Sequence, residues 1–348
     1  MTPRGMKDMA RVVQVVNGIG RRVALVDEPA LRLLEGVTST HAAASMAIAT
    51  GESLSALVER LATGPSLDYD EVYEGRGAWR LLPPLDHPEE PARCILSGTG
   101  LTHLGSAKDR DAMHAATANG AGPDPEDTTD SLRMFRAGLK GGRPAPGEIG
   151  VAPEWFYKGV GTMLRAHGDA LVVPRFAEGG GEEAEIAGVY VIAPDGTPCR
   201  IGLVAGNEFS DHRFERRNYL NLAGSKLRTS AIGPELVLSP AFDSVPGEVW
   251  IERDGARVWT RAIASGEAEM SHSLRNLEHH HFKFEAHRRP GDVHIHFFGA
   301  HSLSFGAGIT LVDGDTVGIR YDGFGRALRN TIRLDPGRDR PVEVRPLG

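Results

Sequence analysis

Glycine and proline punctuate this chain so densely that few long regular elements can form in it. Of its 348 residues, 43 are Gly and 22 are Pro, while only 6% are aromatic. Glycine loses the most backbone entropy inside an element and proline lacks a backbone donor, so both gather at turns. The chain is therefore expected to be turn-rich and β-dominated rather than a helical bundle. Hydrophobic residues at 41% and charged residues at 24% supply an ordinary globular core. A net charge of −7 and a pI near 6.1 offer no basic footprint for nucleic acid or an anionic membrane. No apolar run approaches 18 residues and no signal-peptide order opens the chain, so a soluble, cytoplasmic protein is expected. Cys94 and Cys199 lie far apart without metal or redox spacing and are expected as two buried, reduced thiols.

Residues 1–85 carry the pattern of a small N-terminal α/β domain, and residues 86–348 that of a larger β-rich one. Apolar alternation over 12–16 and 23–26 around a glycine-rich turn predicts a hairpin. Helical spacing follows over 40–49 and 54–62, the second opening at Ser53 as N-cap. The proline-rich stretch 81–91 reads as a linker, and 119–130 as a mobile acidic loop. Strands are expected over 183–193, 248–253, 293–298, 309–311 and 316–321.

Three stretches place charge where packing alone expects none. In Glu183-Ala184-Glu185, strand alternation puts both carboxylates on one face, about 7 Å apart at the backbone. Like charges that close are either solvated on an exposed strand face or bridged by a hard cation such as Mg²⁺. Next, the apolar run Gly202–Gly206 ends in Asn207-Glu208, a rigid strand presenting polar groups at its tip. Finally, Lys226 lies among small residues before the Gly233-Pro234 turn, where a solvated surface lysine is the ordinary reading.

Taken in order, these segments resemble the signature of the fumarylacetoacetate hydrolase superfamily: E-x-E, then N-D-x-S-x-R-D, then a lysine before a G-P turn. Gly314-Asp315-Thr316-Val317 with Gly323-Phe324-Gly325 resembles its closing G-D-x-V…G-x-G segment, so the resemblance spans roughly 92–335. It implies a mixed β-roll, usually a homodimer, acting on a small 2-keto acid. It also implies a metal held by Glu183, Glu185 and Glu208, the last standing where aspartate is usual, and Lys226 stabilising an enolate. Magnesium is the expected metal, with manganese or calcium as substitutes.

Two departures separate this chain from the hydrolases of that superfamily. Ser106 and Asp109 stand where the resemblance expects the His and Glu that activate water, and serine is a poor general base. Glu215 stands where hydrolases place glutamine. Thr102, Ser106, Asp109, Arg110 and Glu215 instead resemble the superfamily's 2-keto-3-deoxypentonate dehydratases, and Trp155-Phe156-Tyr157-Lys158 resembles an F-x-K segment of both branches. The dehydratase chemistry is consistent with a metal: chelation of the C1 carboxylate and C2 keto oxygen acidifies C3 and favours loss of the C4 hydroxyl.

The resemblance thus implies a Mg²⁺-dependent dehydratase of a 2-keto-3-deoxy sugar acid giving 2-oxoglutarate semialdehyde. Lys226, Glu215, Ser106 and Asp109 are its expected catalytic residues, and Thr102, His103, Lys158 and Asn207 its substrate contacts. One alternative is a C–C hydrolase of a 2,4-diketo acid, using His103 or His114 to activate water. Another is a non-catalytic sugar-acid-binding protein. Among the remaining histidines, His279–His281 are adjacent and cannot share a helix face, and His294 and His296 lack a third ligand, so both groups are read as structural or surface residues.

Overall fold

The computed structural model describes residues 9–105, 107–108 and 129–348. Among these residues twelve strands form one large mixed sheet and five form a second, giving the expected β-rich α+β architecture. None of the described helices is long and apolar enough to cross a membrane. The acidic stretch 119–130 lies almost wholly outside the described residues; at its end Thr129 caps a helix, Asp130–Gly141, which periodicity had not suggested.

Near the N-terminus, Arg11–Val16 and Arg21–Asp27 form the expected antiparallel hairpin, with Val13 opposite Ala24. Helices Thr40–Thr50 and Leu54–Leu61 begin at Ser39 and Ser53, whose hydroxyls accept from the Ala42 and Ala56 amides. Each such cap satisfies a donor the helix cannot, a contribution of about 1 kcal/mol. Arg11–Val16 also pairs with Ser230–Val237, so the N-terminal strands continue the large sheet.

Six strands of that sheet carry the site. In spatial order they are Ser230–Val237, Pro198–Asn207, Ala184–Ile192, Val293–Phe297, Cys94–Gly98 and Phe156–Val160. Just beyond the last, after Gly161–Met163, Leu164–Arg165 pairs in parallel with Ser230–Val237. One short run of chain therefore touches both flanks of the six strands and rolls the sheet up.

Ala184–Ile192 lies at the centre of the roll. Ala187, Val189 and Val191 pack with Ala43, Ala44, Ala47 and Leu57 of the two helices. On the opposite face, Ala184 and Ile186 pack with Val249, Ile251 and Ile319 of the second sheet. Both faces are covered, so all nine residues are buried. Each fully buried valine or isoleucine contributes roughly 1.5–3 kcal/mol, which makes this strand a rigid support for whatever stands at its end.

The second sheet runs Ala256–Ser265, Val245–Arg253, Thr316–Tyr321, Leu328–Leu334, Ala170–Val173. Residues 309–311, expected as a strand, form none. Their neighbour Asp315 instead binds the Arg253 guanidinium and the Val312 amide, which holds the segment in a turn. The Gly323-Phe324-Gly325 segment also has a structural reason. Gly325 has φ +80, and a Cβ there would sit 2.2 Å from the carboxylate of Glu235. That buried carboxylate accepts from Arg11, Tyr69 and the Arg326 amide, joining the first strand to the last part of the chain. Of the two cysteines, Cys94 is buried, but Cys199 is only partly so, because the start of its strand reaches the surface.

Candidate metal centre

Antiparallel register builds the centre. Ala184 lies opposite Asn207 and Glu185 opposite Gly206, so the start of one strand meets the end of the other. The Glu208 amide donates to the Glu183 carbonyl at 2.9 Å just beyond the ladder. Carboxylate oxygens of Glu183, Glu185 and Glu208 consequently lie within 4.8 Å of one another, all three residues buried. An exposed strand face for Glu183 and Glu185 is overturned: their exposures are 6% and 1%. Burial follows from the covered faces of the strand rather than from anything in the E-x-E spacing.

Two lysines answer these carboxylates. Lys226, at the end of the short helix Leu222–Lys226, places Nζ 2.5 Å from Glu183 and 2.9 Å from Glu208, over the Phe156 ring. It is not the surface lysine that composition alone suggested; its exposure is 1%. Lys158 projects inward from Phe156–Val160, with Nζ 2.7 Å from Glu208 Oε1 and 2.6 Å from the Phe209 carbonyl. Its ammonium is thus held by a carboxylate of the cluster and a backbone carbonyl.

The electrostatics follow from this crowding. Burial, followed by repulsion from Glu208 and Glu183, pushes the Glu185 pKa well above the usual range. Glu208 is also raised, by burial and then by Glu183. Burial would raise Glu183 too, but Lys226 and His212 together outweigh it and hold that carboxyl well below its ordinary value. Burial lowers the pKa of Lys158 against the attraction of Glu208. With all three carboxyls ionised, the two ammonium groups leave one negative charge in excess, inside protein. Hard oxygen donors crowded in this way fit a hard divalent cation, which relieves the repulsion that burial intensifies.

Further groups hold the carboxylates in place. Glu185 Oε2 accepts from the Gly299 amide at 2.7 Å, and Ser210 Oγ donates to Glu208 Oε1 at 3.1 Å. His212 Nε2 lies 3.0 Å from Glu183 Oε1. Sequence reasoning missed His212 and the contact of Lys158, although both stand inside the segments it singled out. Asn207 Oδ1 accepts from the Glu183 amide at 3.2 Å, and its buried Nδ2 has no partner among the described residues. Glu215 is buried on the helix His212–Arg217, within electrostatic reach of His212. Thr102 donates to the Phe298 carbonyl at 2.6 Å, so at 2.9 Å His103 Nδ1–H must donate to Thr102 Oγ1. Burial lowers the ring's pKa to about 3. Ser106, Asp109, Arg110 and His114 lie outside the described residues.

Four other histidines, His281, His287, His294 and His296, form a separate, largely buried group. His281 Nε2 lies 2.9 Å from His294 Nδ1, its ring stacks on His296 at 4.4 Å, and His287 lies within 5 Å of it. The fold thus supplies the neighbours that His294 and His296 lacked in sequence. Among the described residues, however, the three glutamates are the group whose ligand atoms converge for a metal.

No protein-family model matches the chain. No curated protein matches it either. Solved structures do. A hexagonal crystal form of 2-keto-3-deoxyarabinonate dehydratase superposes with a TM-score of 0.68 at 18% identity, covering 94% of this chain and all of that one. 2-Keto-3-deoxy-D-arabinonate dehydratase complexed with magnesium and 2,5-dioxopentanoate gives 0.67 at 18%, with the same coverage. 2-Hydroxyhepta-2,4-diene-1,7-dioate isomerase from Mycobacterium marinum gives 0.56 at 14%, also over 94% of this chain and all of that one. The chain therefore has the fold shared by these structures.

Proposed function

We propose that the chain belongs to the fumarylacetoacetate hydrolase superfamily and is a Mg²⁺-dependent dehydratase of a 2-keto-3-deoxy sugar acid. The substrate class is the five-carbon 2-keto-3-deoxypentonates, and the product is 2-oxoglutarate semialdehyde (2,5-dioxopentanoate). The working assembly proposed is a homodimer.

The observation that carries the reading is the charge count of the buried cluster. Once ionised, Glu183, Glu185 and Glu208 exceed the ammonium groups of Lys158 and Lys226 by one negative charge. One divalent cation and one monocarboxylate keto acid bring the site to neutrality, which a buried site requires. The shared fold supports this, since the dehydratase of that fold binds magnesium and 2,5-dioxopentanoate.

Glu183, Glu185 and Glu208 would hold the cation, which would supply polarisation of the substrate's carboxylate and keto oxygens. This chain's own residues do the rest. Lys226 stabilises the charge that reaches the C2 oxygen as the C3 proton leaves. Glu215 takes that proton and protonates the departing C4 hydroxyl, so one water is lost and proton relocation ends in the C5 aldehyde. The unpartnered Asn207 amide donates to the substrate. Thr102 and His103 flank it, and Ser106 and Asp109 orient the leaving hydroxyl. Lys158, already bound to Glu208, is assigned to holding that ligand rather than to substrate.

A second reading, C–C hydrolysis of a 2,4-diketo acid, would use the buried His103, beside Thr102, to activate water. Product analysis decides between them. The protein with Mg²⁺ and a 2-keto-3-deoxypentonate should yield the semialdehyde, read by NMR, and cleave an acylpyruvate slowly. Rapid acylpyruvate cleavage, with no semialdehyde from any pentonate isomer, would overturn the dehydratase.

A further inference from the structure

Glu183 carries a burden its two companions do not. Its Oε1 receives both Lys226 Nζ and His212 Nε2, while Glu185 is held by a backbone amide and Glu208 by Lys158, Lys226 and Ser210. A carboxylate only accepts, so the hydrogen in the 3.0 Å contact sits on His212 Nε2. The imidazole that makes this bond is built in from several sides. It begins the helix His212–Arg217, whose N-cap Asp211 accepts from the Phe214 amide and also from the Glu178 amide and Arg228. Phe305 packs against the ring with centroids 5.4 Å apart. On the remaining side stands Gly181, where a Cβ would come within 2.3 Å of His212 Nδ1. Gly181 is not among the glycines with positive φ, and it lies in a backbone bridge to Ser210. Nothing in its backbone demands glycine; the imidazole does.

We propose that His212 is a positioning residue that fixes the Glu183 carboxylate for metal binding, and that Gly181 is glycine to admit its ring. The inference rests on the metal reading given above and extends it to two residues that bind neither cation nor substrate. Holding one oxygen from behind restricts rotation of the carboxylate, so its other oxygen needs no reordering when the cation arrives. Outer groups of this kind commonly change metal affinity by about 10–100-fold when removed.

The test reads Mn²⁺ affinity directly, by EPR detection of free ion, in the full chain and without substrate. His212→Leu removes the donor, and His212→Gln keeps an N–H in its place. Gly181→Ala removes no polar group but pushes the ring off Glu183. We expect about 10–100-fold weaker Mn²⁺ binding for His212→Leu and Gly181→Ala, and recovery of most of it in His212→Gln. The double variant Gly181→Ala/His212→Leu should bind no more weakly than His212→Leu alone, because both act on one contact. Melting in EDTA identifies variants that fail to fold. If His212→Leu is among them, Gly181→Ala and His212→Gln carry the test. Wild-type affinity in the folded variants overturns the proposal, as does full additivity in the double variant. Both outcomes leave the metal reading intact. A wild-type chain that takes up no Mn²⁺ overturns both.

Discussion

Lys158 Nζ lies 2.7 Å from Glu208 Oε1, and neither side chain has any exposure to solvent. Removing one partner of a buried ion pair strands the other, typically at 3–5 kcal/mol. Lys158→Met should therefore lower the stability of the metal-free chain by that order. A divalent cation can then replace the lost ammonium, so Mg²⁺ should raise the melting temperature more in the variant than in the wild type. Calorimetry with EDTA and with Mg²⁺ measures both shifts. Equal Mg²⁺ shifts would show that Lys158 does not neutralise Glu208.

Lys226 shares the same carboxylates, but the proposed reaction gives it a chemical role. Its ammonium touches Glu183 and Glu208 and rests over Phe156, so it can face a developing enolate. Charge that appears only during reaction is felt in kcat rather than KM. Lys226→Met should retain Mn²⁺ and lose about 10²–10³-fold in kcat. A folded variant with near-normal kcat would make Lys226 a structural counter-ion only.

The buried histidines set an acid limit on the fold. Burial, followed by repulsion from neighbouring histidines, lowers His281 well below its ordinary value and takes His294 and His296 to about 3. The groups facing them include Ser97, Trp155, His287 and the rings of Phe282 and Phe298. The unfolded chain takes up protons at these rings near pH 6.5 while the folded chain refuses them, so stability falls as pH drops from about 6.5 toward 3. Each ring contributes at most about 1.4 kcal/mol per pH unit. His296→Gln should flatten the stability profile by about one proton in that window, measured by urea unfolding between pH 7 and 4. A slope identical to the wild type would show that His296 is protonated in the folded state.

How much of this could be read from the sequence depends on the distance over which each feature is determined. The hairpin at Arg11–Asp27, the caps at Ser39 and Ser53, and the closeness of Glu183, just before a strand, to Glu185 within it are local, and period and capping chemistry reveal them. Lys158 was legible as a residue of interest but not as the partner of Glu208. That contact exists because Leu164–Arg165 closes the roll against Ser230–Val237, a pairing with no local signal. The hairpin Val245–Arg253 to Ala256–Ser265 is different, because the sequence did carry its mark. Asp254-Gly255, with φ of 51 and 79, is the Asp-Gly turn that joins two strands, but the exposed second strand lacks the apolar alternation that draws the eye. The strand expected at 309–311 failed for the opposite reason: Ile309-Thr310-Leu311 has strand-forming residues that suggest a ladder, whereas Asp315 and Arg253 make a turn.

Glu215 carries the sharpest consequence, because the proposed elimination assigns it both proton transfers. It is fully inside the protein at 1% exposure, on the helix that His212 begins, so its carboxyl is directed by a fixed backbone rather than by solvent. A buried carboxyl can accept one proton and deliver another; the amide of equal shape cannot. Glu215→Gln keeps size and hydrogen-bonding capacity, so it isolates proton transfer from packing. A positioned acid/base contributes about 10²–10⁴-fold, equivalent to roughly 3–5 kcal/mol of barrier. Semialdehyde formation from a 2-keto-3-deoxypentonate should fall by that factor, with Mn²⁺ affinity and the EDTA melting temperature unchanged. If dehydration persists at the wild-type rate, Glu215 has no proton to move, and the acid/base must be sought in the segment of Ser106 and Asp109. If dehydration falls only because Mn²⁺ binding falls with it, Glu215 supports the metal cluster through His212 and the elimination needs another base.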